Sequence, residues 1–289
     1  MVWVDAIIQG ILLGGLYALF ATGLSLAFGV MRFVNLAHGD LAILAAFVTL
    51  SLSTTSKINP LLALVIVLPG AFIVGFLLQR LIFDRVVGVN PAFQIVATFG
   101  LGIVVQNLLL EKYTADERGL TAGGIETASI KVNDKIAIGW LPLITLLCAV
   151  AVLGGLALFL SRTKLGRAFR ATSDDLDAAR LMGIDVRRVY AVAMALAIAT
   201  VALAGVLLGT KQTFSPFTGP TNLIFAFETV IIGGLGSLWG TLAGGITLGI
   251  AQLVGNQIDP QYGQLAGHIV FLAVLATRPT GMFGKVEAQ

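Results

Sequence analysis

The sequence is poor in charge and in the side chains that most often carry out catalysis. Of its 289 residues, 11% are charged, whereas an average soluble domain has about 25%. A protein with so few charges cannot cover its surface with groups that water solvates. The single cysteine, Cys148, excludes an intrachain disulfide and a cysteine metal cluster. Histidine is also scarce, since the chain has His38 and His268 and no others.

Motifs for nucleotide, metal and covalent chemistry are absent from the sequence as well. It contains no G-x-x-x-x-G-K-[ST] loop, which would bind phosphate, and no zinc-binding H-E-x-x-H. No nucleophile stands beside a base, and no carboxylate cluster occurs in the apolar stretches. We therefore predict that this chain is not an enzyme and has no catalytic residue, metal ligand or cofactor of its own. The net charge of +3 is too small to indicate nucleic-acid binding.

Long apolar stretches take the place of charge. Hydrophobic residues make up 57% of the chain, and the mean hydropathy is +0.95. A helix needs about 20 apolar residues to cross a hydrocarbon core of about 30 Å. Uncharged stretches reach or approach this length at 6–31, 41–56, 58–79, 86–110, 136–161, 189–210, 229–258 and 260–277. Because they do not alternate as membrane-barrel strands do, the predicted fold is all-α, a single polytopic transmembrane bundle over residues 1–289.

Basic residues predict how this bundle is oriented, because cytoplasmic loops are rich in Lys and Arg. The segment 161–188 carries seven basic residues and is predicted to be a cytoplasmic loop. The segment 111–137 mixes acidic and basic residues and is predicted to be an external loop. Arg278 and Lys285 place the C-terminus on the cytoplasmic side.

Nine spans follow from this orientation, with an external N-terminus. They are expected near 6–30, 36–54, 60–80, 91–110, 138–161, 189–209, 222–238, 240–257 and 263–279. The segments 30–40 and 222–258 leave open a re-entrant turn or a discontinuous span. The expected number is therefore eight to ten.

Glycines at a spacing of four residues indicate closely packed helices, because small residues let two helix backbones approach in lipid. The densest group predicts a tightly packed helix pair and consists of Gly236, Gly240, Gly244, Gly245 and Gly249.

Polar and ionisable residues inside apolar stretches are costly in a bilayer and are therefore candidates for a function. Asn35, His38 and Asp40 either line a cavity at a break in the membrane or form an interfacial loop that caps the next helix. Glu228 either faces a translocation path or lies at the external interface. His268 is expected to bond a backbone carbonyl.

The cytoplasmic segment contains signals for a short helix. Residues 172–175 supply the side chains that cap a helix N-terminus, and Gly183 suits the C-terminal cap. The helix is expected over 176–182. It is either a docking element for a groove on another protein or a solvated surface helix. Its apolar side chains are Ala178, Ala179, Leu181 and Met182.

Several motifs resemble those of a known transporter family. The segment D-D-L-D-A-A-R-L-M-G-I-D at 174–185 looks like the ATPase-coupling loop of bacterial ABC importer permeases. Further motifs narrow this to the LivH-type permeases of the branched-chain, or hydrophobic, amino-acid uptake family. They are G-R-A-F-R-A at 166–171, N-L-A-H-G-D at 35–40, G-G-L-G-S-L-W-G-T-L-A-G-G at 233–245 and R-P-T-G-M-F-G at 278–284. One departure is an aspartate, Asp177, where the general permease pattern has glutamate.

The resemblance implies a type II-like permease in a bacterial inner membrane. A second, related permease would share the path, two cytoplasmic ATPases would bind ATP and Mg, and a periplasmic binding protein would deliver the solute. Besides branched-chain amino acids, the family carries amides, urea and aromatic acids. The residues implied in ATPase coupling are Asp174, Asp175, Asp177, Ala178, Ala179, Leu181, Met182 and Gly183.

The alternative is an ion-coupled secondary transporter of small organic solutes. Such a protein needs carboxylates or broken helices inside the membrane that bind a cation. Asp40 and Glu228 are the acidic candidates, and neither has a basic partner at helical spacing in its own stretch. Pairing with a second copy of the chain and pairing with a sister permease both remain open.

Overall fold

The computed structural model describes residues 2–88, 90–133 and 136–283. Eleven α-helices occur in these ranges, with a 3-10 turn at Phe83–Arg85 and two short antiparallel strands, β1 (Ser129–Asn133) and β2 (Ile136–Gly139). The helices are α1 (Val2–Met31), α2 (His38–Ser56), α3 (Pro60–Leu81), α4 (Pro91–Tyr113), α5 (Trp140–Arg162), α6 (Lys164–Asp174), α7 (Leu176–Leu181), α8 (Val186–Lys211), α9 (Gly219–Gly233), α10 (Leu238–Ile258) and α11 (Tyr262–Thr277). The predicted all-α membrane bundle is thereby confirmed. Four residues of the predicted loop and C-terminus, Asp134, Lys135, Gly284 and Lys285, lie outside the described residues.

Two membrane helices begin at an Asn-Pro pair. Asn59 precedes α3 and its Oδ1 accepts a hydrogen bond from the backbone N–H of Leu61 at 2.9 Å. Asn90 does the same for Ala92 at the start of α4, again at 2.9 Å. The asparagine satisfies a backbone donor that has no partner within the helix, and proline is already suited to the first turn.

Among the described residues, seven helices are long and apolar enough to cross a membrane: α1, α2, α3, α4, α5, α8 and α10. The other two predicted spans correspond to α9 and α11, which have 15 and 16 residues. At 1.5 Å per residue these reach about 23 Å, which is less than the roughly 30 Å of hydrocarbon.

The predicted span 222–238 is wrong at its C-terminal end. The helix α9 ends at Gly233, and Gly234 follows with φ +102°, a conformation that glycine adopts without strain. The chain then turns and starts α10 at Leu238. The apolar stretch therefore contains two helices and a turn, as the nine-span prediction has it, with the turn about five residues earlier than expected.

The glycines of α10 contact two different helices. Gly245 and Gly249 face α1, where a methyl group added to Gly14 would lie 2.5 Å from Cα of Ile246. Gly240 and Gly244 instead face the last turn of α9. The predicted close packing therefore involves three helices, with α10 between α1 and α9. Gly236 lies in the turn before α10, against Gly29 of α1.

The connections fall on two opposite ends of the bundle. At one end, Gln9 Nε2 in α1 donates to the backbone oxygen of Ala137 in β2 at 2.7 Å, so the N-terminal part of α1 and the hairpin lie together. At the other end, residues 279–283 return to α9, where the N–H groups of Met282 and Phe283 donate to the carbonyls of Ile232 and Gly233 at 2.8 and 3.1 Å.

Candidate functional site

The polar segment between α5 and α8 forms two helices at one end of the bundle. The first, α6, begins at Thr163, whose Oγ1 accepts from the N–H of Gly166 at 2.9 Å. It buries Gly166, Phe169 and Thr172, which share one face because they are three residues apart. The basic side chains Lys164, Arg167 and Arg170 lie on the remaining surface.

The second helix, α7, is short but closed at both ends. Asp175 Oδ1 accepts from the backbone N–H groups of Asp177 and Ala178 at 3.0 and 2.9 Å. At the other end Gly183 has φ +77°, its N–H donates to Arg180 O, and the N–H of Ile184 donates to Ala179 O. This pair of bonds is the Schellman arrangement, and it fixes a helix of six residues that could not persist alone.

The surface of α7 combines exposed apolar side chains with carboxylates. Leu181 is 88% exposed and Met182 is 82% exposed. Ala178 is exposed beside them, but Ala179 is buried, so Ala179 packs inward and is not part of the accessible surface. Asp174, Asp175 and Asp177 are also exposed, and the carboxylate of Asp177 pairs with Arg180 at 3.5 Å.

The α6–α7 segment is attached to the membrane helices at a defined point. Ser173 Oγ donates to the carbonyl of Gly29 near the end of α1 at 2.5 Å. Gly29 in turn lies against Gly236 in the turn between α9 and α10. A cavity of about 1020 Å³ opens here, lined among others by Arg32, Ser173, Asp174 and Gly236. A displacement of α6 would therefore reach both α1 and the α9–α10 turn.

Asn35, His38 and Asp40 are buried within the protein. Asn35 Oδ1 accepts from the N–H of Ala37 at 3.0 Å, a bond within the turn that precedes α2. His38 Nε2 donates to Phe20 O in α1 at 2.9 Å. Asp40 Oδ1 accepts from Gln106 Nε2 in α4 at 2.8 Å. These contacts join α2 to α1 and α4.

Substitution of Asp40 tests whether transport needs the charge of its carboxylate or only its hydrogen bond to Gln106. We expect Asp40→Asn to remain folded and to keep most transport activity, because its amide oxygen can still accept from Gln106. Asp40→Leu leaves the Gln106 amide unpaired and should cost about 1–3 kcal/mol of stability. Thermal unfolding in detergent and uptake in vesicles measure the two effects. A folded Asp40→Asn protein without uptake would instead assign the carboxylate a role in ion or proton movement.

The expectation for His268 is wrong. Its Nδ1 forms a short hydrogen bond with Glu228 Oε1, a side chain on a different helix, and not with a backbone carbonyl. Glu228 is the tenth residue of α9 and is buried. Its other oxygen, Oε2, has no hydrogen-bond partner among the described residues.

A second hydrogen bond between two helices lies near this pair, and no pattern in the sequence predicts it. Tyr17 in α1 donates its hydroxyl to Gln252 Oε1 in α10 at 2.5 Å. The ring of Phe225 lies between the two polar pairs, with centroids 5.2 Å from Tyr17 and 6.2 Å from His268. Tyr17, Phe225 and Gln252 also line a cavity of about 370 Å³, together with Asn222.

Within residues 2–88, 90–133 and 136–283, no three His, Cys, Asp or Glu side chains lie close enough together to hold a metal ion. The polar groups form three sets. The first is the exposed α7 surface, and the second is the buried group of Asn35, His38 and Asp40. The third, the middle polar layer, consists of Tyr17, Glu228, Gln252 and His268 on α1, α9, α10 and α11.

Residues 6–275 match the model of a family described as the permease component of branched-chain amino acid transport systems. The chain belongs to this permease family. The match includes the α6–α7 segment, the buried Asn35–Asp40 group and the Glu228–His268 pair.

Two relatives, BraD and LivH, are similar to this permease along nearly their whole length, and a third, LivM, is similar along about two thirds of its length. The high-affinity branched-chain amino acid transport system permease protein BraD of Pseudomonas aeruginosa is 28% identical over 302 residues, covering 99% of this chain and 97% of its own. The permease protein LivH of Escherichia coli strain K12 is 27% identical, with coverage of 97% and 95%. The permease protein LivM of the same strain is 24% identical, covering 95% of this chain and 69% of its own. None of these similarities supports the alternative of a secondary transporter.

Proposed function

We propose that the chain is one of two permease subunits of an ATP-driven importer for branched-chain or other hydrophobic amino acids. Membership of the permease family over residues 6–275 carries this proposal. The relatives BraD and LivH are named as branched-chain amino acid permeases. Related solutes such as amides, urea and aromatic acids fall within the same proposal.

The partner permease is proposed to be a sister subunit. The chain is similar to both LivH and LivM, two different permease proteins of one organism. A heteromeric pair would enclose one path between its subunits. ATP and Mg would bind to two ATPase subunits, and a periplasmic binding protein would deliver the solute.

The exposed α7 surface is proposed as the ATPase docking element. Leu181, Met182 and Ala178 would enter a groove on the ATPase, which is the mode in which a helix with an exposed apolar face binds. The bond between Ser173 and Gly29 would pass the movement to α1. On this proposal the 161–188 loop and the C-terminus are cytoplasmic and the N-terminus is external, in a bacterial inner membrane.

The middle polar layer is proposed as part of the path. Glu228 and the cavity beside Tyr17 supply polar groups at the depth where a zwitterionic solute needs them most. Asn35, His38 and Asp40 would position the neighbouring wall through their bonds to α1 and α4. Because the binding protein would select the solute, this path needs few specific contacts.

The test is reconstitution of the full complex in vesicles with its binding protein. We expect the ATPases and the second permease to copurify with this chain, and leucine uptake to require ATP. A proton or sodium gradient without ATP should give no uptake. Gradient-driven uptake by the chain in the absence of an ATPase would overturn the proposal.

A further inference from the structure

The outward face of α11 contains an imidazole in the middle of an apolar stripe. Leu265, Ile269 and Leu272 are all more than half exposed and lie on this face with His268, because they are spaced by three or four residues. The His268 side chain is 41% exposed, while the carboxylate of Glu228 behind it is 5% exposed. The pair therefore presents a polar group at the surface of the chain, at half the length of the helix.

Lipid is a poor environment for such a surface. Hydrocarbon offers no hydrogen-bond partner to the second ring nitrogen of His268, and ionisable groups in spans face protein or water. The outer face of α3 is a contrast within this chain. Its exposed residues, which include Leu62, Val65, Ile66 and Ile73, are all apolar, as lipid contact requires.

The packing of α11 also indicates that its outer face does not contact lipid. Gly263 and Gly267 are its buried residues, and they rest against Asn256 and Gln252 of α10. Phe271 and Val274 also pack against a core cluster that includes Phe225 and Leu248, whereas Leu265, Ile269 and Leu272 are left exposed by their own chain. At 16 residues the helix spans about 24 Å, so a lipid-facing α11 would also leave a mismatch with a core of about 30 Å.

We infer that the face of α11 formed by Leu265, His268, Ile269 and Leu272 is covered by the second permease subunit, with the His268–Glu228 pair at the boundary of the two chains. This rests on the proposed function, which requires a second permease but does not say where it binds. A polar or charged side chain of that subunit would complete the hydrogen bonding of the imidazole. The apolar residues on either side would pack as helices do in membranes.

A photo-cross-linker attached to single cysteines tests this in the complete transporter in nanodiscs. In a Cys148→Ser background, Leu272→Cys and Val65→Cys are each labelled with a benzophenone maleimide and irradiated. The two positions are 57% and 75% exposed, so the control on α3 is at least as accessible. We expect several-fold more adduct with the second permease from Leu272, and mainly lipid adducts from Val65. Ile269→Cys, on the same face of α11, replaces Leu272→Cys as the labelled position if the Leu272→Cys protein does not assemble.

The outcomes separate this inference from the proposed function. If the second permease and the ATPases copurify but Leu272 and Ile269 yield lipid adducts like Val65, the inferred contact surface on α11 is wrong. The proposed importer function is then unaffected. Adducts with the binding protein would also overturn the inference. If no second permease copurifies, the proposed function itself fails.

Discussion

Gly14→Ala is expected to prevent stable assembly of the bundle. The new methyl group would lie 2.5 Å from Cα of Ile246 and 2.6 Å from the carbonyl oxygen of Gly245, so α1 and α10 would have to separate. Backbone atoms cannot move aside as a flexible side chain can. We expect a loss of about 3 kcal/mol or more, the upper end for overpacking, and a fall of the monodisperse fraction in detergent to about a tenth or less.

The matched control is Gly155→Ala in α5. A methyl group there meets nothing within 4 Å, and alanine favours a helix over glycine by about 1 kcal/mol. This variant should be as stable as the native chain or more so. Size-exclusion chromatography of fluorescent fusions after a temperature series compares the two. Equal profiles for Gly14→Ala and Gly155→Ala would contradict the close α1–α10 packing.

Leu181→Glu is expected to uncouple transport from ATP hydrolysis without affecting the membrane bundle. Leu181 is almost fully exposed, so the substitution removes no contact within the chain. If it enters a groove on the ATPase, a buried charge there costs at least about 2 kcal/mol, which corresponds to a loss of about 30-fold in affinity. ATPase copurification and solute-stimulated hydrolysis should both fall, with unchanged thermal stability of the isolated permease.

Leu181→Met provides the control because methionine keeps the apolar surface and adapts to an existing groove. It should retain coupling. Full ATP-dependent uptake by Leu181→Glu would show that α7 is a solvated surface helix, the other interpretation that its sequence allowed.

The sequence predicts the features that depend on neighbouring residues. Asp175 and Gly183 terminate α7 by contacts within a few residues, so their roles can be recognised without knowing the rest of the fold. The membrane helices follow from long apolar stretches for the same reason. The end of α9 could not be predicted in this way, because apolar residues continue past Gly234, where the backbone turns.

The polar layer depends on how separate helices face one another. Tyr17 and Gln252 are 235 residues apart, and their bond requires the register that the α1 and α10 glycines impose. Glu228 and His268 each stand alone among the apolar residues of their own helix. In the sequence, their pairing is indicated by an acidic residue in one span and a basic one in a nearby span. The exposure of Leu181 and the burial of Ala179 likewise depend on the contact of α7 with the bundle.

The contact of residues 279–283 with α9 has a consequence for biosynthesis. The carbonyls of Ile232 and Gly233 receive their partners from Met282 and Phe283, which are translated after every apolar helix among the described residues. Unpaired backbone groups are costly away from water, so α9 cannot complete its hydrogen bonding before residues 282 and 283 have been made. We therefore expect nascent chains that stop before residue 279 to be retained by the insertion machinery or degraded, although the nine apolar helices of the described residues have by then been made.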